Sequence, residues 1–427
     1  MPIFKEKTRR MDSNLYKLVK QLRFSSVGFY FVSFLIPIIS FLELEISGIE
    51  LGFVFSLRTI GFIASSFIAG ILSNKRTRRA MLIFIASVGR FFSYILIYFS
   101  FIFNLYWMMV LGMLTLGLGV GFFWTPFETT VADATHYEYR SEAFGIFSQQ
   151  SGIGGFIGAT IGFSVLWTAY EFTFTSPMIY SIIAFSPLLL YGISNIYAGI
   201  RVLQLAPKIE YVDIKETDER KREVKRAIIY SFIFLLAILF LEYLIGSLVG
   251  SFIEYFLLQN ITQEITYIII AYVPGGVVSV ILAPKLGKLA DRLNPVYTLG
   301  VASALGALMT WLLINSTQIW QFSIIFLVDS TVVAVAGLVL TKIISTISRE
   351  RRGTIFGLHD SVSNLGNIGG PLIGGALWDV SDRAPFILSI IIEGCLAVLY
   401  PIAIILLGKN IDIRGKNQKN PTITQEN

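Results

Sequence analysis

The sequence predicts an all-α integral membrane protein in which twelve transmembrane helices form two pseudo-symmetric six-helix bundles. Composition, the spacing of apolar runs and an internal repeat support this fold class. Hydrophobic residues make up 54% of the 427 residues and charged residues only 15%, whereas soluble domains carry about 25% charged residues. A soluble fold of this size cannot bury so many apolar side chains, so the composition indicates a membrane protein.

Apolar runs of about 20 residues are long enough to cross a bilayer. We number twelve such runs as spans 1–12, at residues 25–43, 50–72, 80–99, 105–130, 144–168, 177–200, 227–250, 266–286, 296–314, 319–342, 354–377 and 385–408. The first run lacks a small-residue cleavage site, so it predicts a retained span rather than a signal peptide. Before it, Leu15, Leu18, Val19 and Leu22 recur at helical spacing. This pattern fits either a helix lying on the membrane surface or a solvated tail.

Positive charge predicts the orientation of the chain. Of the 34 lysines and arginines, 31 lie in the two tails or in the loops and span ends on one side of the membrane. The exceptions are Arg58, Arg90 and Arg383. Because basic loops stay in the cytoplasm, we expect a multi-pass protein of the cell membrane with both termini cytoplasmic. The basic clusters then determine topology, and nucleic acid is not expected as a partner.

Few residues are available for metal or redox chemistry. The chain has one cysteine, Cys395, and two histidines, and it contains no nucleotide-binding motif, catalytic triad or metal-ligand spacing. A disulfide within the chain and a multi-cysteine metal site are therefore excluded. We expect neither an enzyme nor ATP-driven transport, and no cofactor.

A charged segment and a repeat divide the chain into two halves. The segment 207–226, PKIEYVDIKETDERKREVKR, is dominated by charged side chains. It predicts five regions, namely a cytoplasmic tail (1–24), a first bundle (25–203), a charged linker (204–226), a second bundle (227–408) and a C-terminal tail (409–427).

The repeat joins the surroundings of span 5 to those of span 11. At an offset of 212 residues, identical residues recur at Glu138/Glu350, Arg140/Arg352, Phe144/Phe356, Gly145/Gly357, Ser151/Ser363, Gly154/Gly366, Gly158/Gly370, Ile161/Ile373 and Gly162/Gly374. The shared G-x-x-x-G-x-x-x-G spacing puts small residues on one helical face, where neighbouring backbones approach closely. The repeat therefore predicts matching helix contacts in the two halves.

Two loops carry a further signature. Loop 8–9 has the sequence GKLADRLN, and loop 2–3 has GILSNKRTRR, with Asn74 and Thr77 where the signature has Asp and Gly. With twelve spans in two repeated halves, these loops resemble the major facilitator superfamily, whose signature there is G-x-L-A-D-R-x-G-R-R/K. The resemblance implies alternating access, in which two bundles rock around a midplane site.

The resemblance also implies a gate on the cytoplasmic side. The corresponding residues here are Gly70, Asn74, Arg78, Arg79, Gly287, Asp291, Arg292, Arg140 and Arg352. An anion is favoured at a helix N-terminus by ~0.3–1 kcal/mol. We therefore expect Asp291 to contact the start of span 5, whereas Asn74 brings no charge to the start of span 11. We use the term latch for the contacts that a signature loop makes with the other half of the protein. The latch at loop 8–9 should then contribute more to the closed gate than the latch at loop 2–3.

Ionisable residues inside spans are costly and mark candidate functional sites. The candidates taken from them are Arg58, Arg90, Glu128, Glu242, Asp329 and Glu393. Asp329 on span 10 is the first candidate for proton exchange and Glu128 on span 4 the second, with Glu242 on span 7 also facing the expected cavity. Alternatively, a buried carboxylate forms an ion pair with Arg58 or Arg90 and stabilises the bundle. We favour this structural role for Arg90 and for Glu393. Arg58 fits an anionic solute group equally well.

Aromatic and amide side chains complete the expected solute pathway. Tyr30 and Trp124 are placed to stack on an organic solute, and Gln149 and Asn364 to hydrogen-bond it. Alternatively, the aromatic rings face lipid or core, and the amides bond between helices.

The sequence thus predicts a secondary active transporter of a small organic solute, coupled to protons and monomeric in the lipid bilayer. A facilitative uniporter for a sugar-like solute and a multidrug-type efflux pump are the alternatives within this fold. A membrane sensor without transport activity is the alternative from another class.

Overall fold

The computed structural model describes residues 11–29, 31–32, 48–171, 177–211, 224–262, 267, 271–272, 274–275, 278, 280–347 and 351–408. Spans 2–7 and 9–12 lie largely or wholly within these ranges. Most of span 1, eight residues of span 8, the linker centre 212–223 and the C-terminal tail 409–427 fall outside the described residues.

Every described span is helical. Spans 2–5 form helices Gly48–Leu72, Arg76–Ile102, Tyr106–Asp133 and Arg140–Glu171. Span 6 consists of Pro177–Ala184 and Pro187–Leu205, because Pro187 lacks the amide hydrogen needed to continue a helix. Spans 7 and 9–12 form Val224–Asn260, Pro295–Ile314, Ile319–Ile344, Arg352–Trp378 and Ala384–Gly408. Eight helices in the described part of the chain are long and apolar enough to cross a membrane.

The two signature loops are shorter than the sequence predicts. Span 3 begins at Arg76, so only residues 73–75 separate spans 2 and 3. The segment GKLADR belongs to a helix, Ala283–Arg292, which ends because Pro295 holds the residue before it in an extended conformation. We call the end of the molecule that carries residues 73–75 and 293–294 the basic end.

The repeat appears as matching helix contacts. Gly158 on span 5 lies against the backbone carbonyl of Val27, next to the start of span 1. Gly370 on span 11 lies in the same way against the carbonyl of Leu244 on span 7. A side chain at either glycine would collide with the facing backbone. The close helix approach predicted from the glycine spacing is confirmed.

Buried apolar side chains of the described residues form three clusters. The largest lies toward the basic end and contains residues of both halves, such as Phe144 and Phe356. At the opposite end, one cluster contains only first-half residues, including Phe185, and another only second-half residues, including Phe386. The two halves therefore share a core toward the basic end and have separate cores at the other end.

The N-terminal segment packs on the protein. Residues Ser13–Val19 form a helix whose first turn is capped by Asp12, which accepts a hydrogen bond from the Asn14 amide at 3.0 Å. Leu15 and Leu18 are at most 1% exposed, in the core cluster of the basic end. Both expectations for this segment, a membrane-surface helix and a solvated tail, are wrong because its apolar face is covered by spans 5 and 6.

Replacing Leu18 by alanine is expected to destabilise the protein by about 2–4 kcal/mol, because it removes a fully buried side chain and leaves a cavity. The apparent melting temperature in detergent micelles measures the effect. Tyr16→Ala in the same helix is the control, since Tyr16 is 39% exposed, and it should shift the melting temperature much less. Equal shifts for the two variants would contradict the packed position of this helix.

Candidate functional site

A cavity of about 1040 Å³ lies between the two halves and extends into the second. Spans 1, 4 and 5 contribute described residues to the wall of the first half, and spans 7–12 to that of the second. The lining is mostly apolar, and the described lining residues include no lysine or arginine. A volume of this size accommodates a drug-sized molecule.

Three residues of the predicted solute and proton pathway line this cavity, namely Glu128, Glu242 and Asp329. Each reaches it from a different span, which brings together carboxylates far apart in sequence. The rest of the predicted set is not in the described lining. Tyr30 lies outside the described residues.

The remaining pathway candidates have structural contacts. Trp124 packs edge-to-face on Phe147. Gln149 donates to the carbonyl of Ile281 at 3.2 Å, which joins span 5 to span 8. Asn364 donates to the carbonyl of Asp360, one turn earlier in its own helix.

The two arginines within the first-half spans, the half-buried Arg58 and the buried Arg90, lie outside the described cavity lining. The backbone of Arg58 on span 2 lies against Gly117 on span 4. Arg90 donates to the carbonyl of Ser25 and lies 5.0 Å from the ring centre of Phe123. It therefore holds the start of span 1, and among the described residues it forms no ion pair of the kind that sequence reasoning favoured for it.

Glu393 on span 12 also lines the cavity. Sequence reasoning favoured an ion pair for this residue, yet its carboxylate faces Gly306 on span 9. The apolar run of span 12 gives no signal for this placement, because the rotation of a helix about its axis depends on its neighbours.

A polar cluster crosses between the halves beside the cavity. Thr125 on span 4 donates to the Asp360 carboxylate on span 11 at 2.7 Å. His359 Nδ1 lies 3.1 Å from that carboxylate, and the hydroxyl of Tyr243 lies 3.5 Å from His359 Nε2. Glu128 is near enough to Asp360 for their charges to interact.

Sequence reasoning missed His359 and Asp360. The applicable signal was present, since Asp360 is an ionisable residue within predicted span 11. Like charges repel, so it is unfavourable for Glu128 and Asp360 to be ionised at the same time.

The latch at loop 8–9 has the predicted contact. The Asp291 carboxylate accepts from the backbone amides of Ser141 and Glu142, at 3.1 and 2.9 Å, at the start of span 5. It also pairs with Lys342 at 2.9 Å. Lys288 adds an ion pair to Glu142 at 3.5 Å. The anion therefore sits at a helix N-terminus and joins the two halves.

The latch at loop 2–3 contains a charge that the signature does not reveal. Asn74 accepts from the Thr354 amide at 3.3 Å and donates to its hydroxyl at 2.7 Å. The carboxylate of Asp133, at the end of span 4, pairs with Arg79 at 2.7 Å and with Arg352 of the other half. Asp133 therefore supplies the negative charge that Asn74 lacks.

Two glycines allow the latches to close. A methyl group added at Gly70 would lie 2.6 Å from the carbonyl oxygen of Gly353 on span 11. One added at Gly287 would lie 2.5 Å from the carbonyl oxygen of Ser141 on span 5. Both positions therefore require glycine for the observed approach of the two halves.

Among the other predicted gate residues, Arg140 and Arg352 are buried, whereas Arg78 and Arg292 are exposed. Arg140 donates to the hydroxyl of Ser345 at 3.1 Å, and Arg352 donates to the carbonyl of the same serine at 2.7 Å. Arg78 and Arg292 are exposed and take part in none of the described contacts between the halves.

Comparisons with known proteins agree with this architecture. The sequence matches the family model of the Major Facilitator Superfamily over residues 24–371, with a second match over 235–422. The multidrug resistance protein MdtG of Salmonella arizonae is 34% identical over 109 residues, which are 25% of this chain and 27% of that relative. The chain thus spans just over a quarter of the length of this curated relative.

Solved structures show the same fold. A variant of the E. coli fucose:proton symporter FucP superposes with a TM-score of 0.66 at 14% identity, covering 93% of this chain and 98% of that one. A bacterial homologue of the iron transporter ferroportin, in an outward-facing state, gives a TM-score of 0.70 at 13% identity, covering 93% and 98%. The family model spans most of the chain, and the twelve-helix, two-bundle fold agrees with it. The chain therefore belongs to the major facilitator superfamily.

Proposed function

We propose that the protein is a proton-coupled secondary transporter that moves a small organic solute by alternating access. The observation that carries the proposal is the cavity between the halves, lined by Glu128, Glu242 and Asp329 and closed at the basic end by two latches. A site that two rocking bundles expose in turn needs both features.

The orientation follows from charge. Because lysine and arginine concentrate at the basic end, we assign this end to the cytoplasm. The latched conformation then faces outward, and release of the latches opens the cavity to the cell interior. We propose a monomer in the cell membrane, since each chain contains both bundles.

Proton coupling is assigned to the cluster between the halves. Thr125 and Asp360 are joined by a hydrogen bond only while spans 4 and 11 are adjacent. Protonation of the pair formed by Glu128 and Asp360 changes its charge and its hydrogen bonding. It therefore alters the free-energy difference between the two conformations, which is the requirement for coupling.

Efflux of drug-like molecules is the best-supported form of this activity. The similarity to a multidrug resistance protein over 109 residues favours it, as does the large, mostly apolar cavity. A uniporter remains the alternative, and it differs in one measurable property, because its flux does not respond to a pH gradient.

Transport in liposomes tests the proposed function. A solute panel is first screened by thermal shift of the purified protein, and flux of the hits is then measured with and without a pH gradient. We expect the gradient to drive accumulation by about tenfold per pH unit and coupled proton, and a protonophore to abolish it. Flux of all hits that ignores the gradient would establish a uniporter, and binding without any flux would exclude a transporter.

A further inference from the structure

Three carboxylates line the part of the cavity inside the second bundle. They come from Glu242 on span 7, Asp329 on span 10 and Glu393 on span 12. Glu393 is close enough to interact electrostatically with both of the others. With no lysine or arginine in the described lining, these carboxylates have no cationic partner there. Burial of an unpaired charge is costly, so this part of the cavity favours a positively charged occupant.

Buried polar atoms in the same region have no protein partner. Within the described residues, one carboxylate oxygen of Glu242 and one of Glu393 are buried without a hydrogen bond. Tyr400 on span 12 is only 2% exposed and lines the cavity, and its hydroxyl is likewise unpaired among the described residues. Because buried polar groups are nearly always hydrogen-bonded, three unpaired atoms around one cavity indicate a ligand.

The backbone leaves room for this arrangement. A methyl group added at Gly306 would lie 3.2 Å from the Glu393 carboxylate. Glycine at this position therefore gives the carboxylate its space beside the cavity. An alanine there would require the Glu393 carboxylate to shift by a few tenths of an ångström.

The occupant is organic rather than a metal ion. The described residues contain no group of three or more side chains arranged to hold a metal. Aromatic rings such as Tyr243 and Phe326 line the cavity beside the acids, and aromatic faces attract organic cations. We propose that the transported solute is an organic cation with apolar substituents, bound in the second bundle by Glu242, Asp329 and Glu393. This inference rests on the proposed transport function and adds the charge and location of the solute.

Binding to purified protein tests the inference separately from transport. The probe is radiolabelled tetraphenylphosphonium, and the competitors are tetraphenylborate, which has the same shape and the opposite charge, and uncharged triphenylphosphine oxide. We expect saturable binding of the cation and no competition by the anion. Glu242→Gln and Glu393→Gln should each weaken binding about tenfold or more. Asp379→Asn is the control, because Asp379 is exposed and not in the described cavity lining.

Gly306→Ala keeps all three carboxylates and shifts that of Glu393. It should therefore also weaken binding, and it replaces the glutamine variants if they do not fold. Absence of saturable binding, equal competition by the anion, or unchanged binding in all these variants would overturn the inference. Flux of a sugar or an organic anion without phosphonium binding would overturn it and leave the transport function standing. Phosphonium binding without any flux would support the cation site and overturn transport.

Discussion

Replacing Asp360 by asparagine is expected to abolish proton-driven accumulation of solute while preserving solute exchange across the membrane. Asparagine keeps the size of the side chain and an oxygen that accepts from Thr125, but it cannot hold or release a proton. Exchange of solute for solute needs no net proton movement and should continue. Accumulation and exchange are measured in the same liposomes with and without a pH gradient, and the gradient-driven component should fall about tenfold or more.

The control for this experiment separates the proton from the hydrogen bond. Thr125→Val removes the bond to Asp360 but leaves the carboxylates of Glu128 and Asp360 in the protein. We expect this variant to change the rate of transport and to retain accumulation in response to the gradient. Undiminished accumulation in Asp360→Asn would show that another group carries the proton, with Asp329 in the cavity as the next residue to test.

Replacing Asp133 by asparagine is expected to open the basic end more than any other single change at the latches. Asp133 is the shared partner of Arg79 and Arg352, which are 3% and 4% exposed. Removing one partner of a buried ion pair typically costs about 3–5 kcal/mol, and here two buried cations lose a partner, as does the exposed Arg76, which lies 3.8 Å from Asp133. Asp291→Asn should have a smaller effect, because one cation, Lys342, is left unpaired and the amide oxygen still accepts from a backbone amide.

Maleimide labelling measures the opening. Ser66→Cys in a Cys395→Ser background provides a buried reporter where span 2 meets Gly357. Its labelling rate should rise most in Asp133→Asn, less in Asp291→Asn and not at all in Arg78→Gln, since Arg78 is exposed. The sequence alone, in which Asn74 brings no charge to loop 2–3, predicts the opposite order for the two latches, with the larger share of the closure at loop 8–9. A larger increase in Asp291→Asn would support that order and contradict ours. If Asp133→Asn does not fold, adding Arg352→Gln removes one of the unpaired cations and should restore much of the stability.

Much of the architecture could be read from local patterns. The apolar runs predicted helices, and the glycine spacing at Gly158 and Gly370 predicted close contacts, that the structure contains. The contact of Asp291 with the start of span 5 was also predictable, because the resemblance of GKLADR to the superfamily signature implies that this aspartate meets the start of the apposed helix.

Contacts formed by residues distant in sequence were not predictable. Asp133 and Arg352 belong to different halves, and neither residue's own neighbourhood in the sequence identifies the other. The same holds for Thr125 with Asp360, and for the carboxylate of Glu393 beside Gly306. The amphipathic pattern at Leu15 and Leu18 predicted a helix but not the protein surface that covers it.

The sequence by itself determined the membrane-spanning class, the number of spans, the two repeated halves and the helix faces on which small residues lie. These properties follow from the solvation of short segments, since each segment partitions into the bilayer according to its own hydrophobicity. Only the tertiary structure decided that Asp133 reinforces the latch at loop 2–3, that Asp360 faces Glu128, and that Glu242, Asp329 and Glu393 share one cavity. Those contacts depend on the rotation and neighbours of each helix, which are set by the packing of all the helices together.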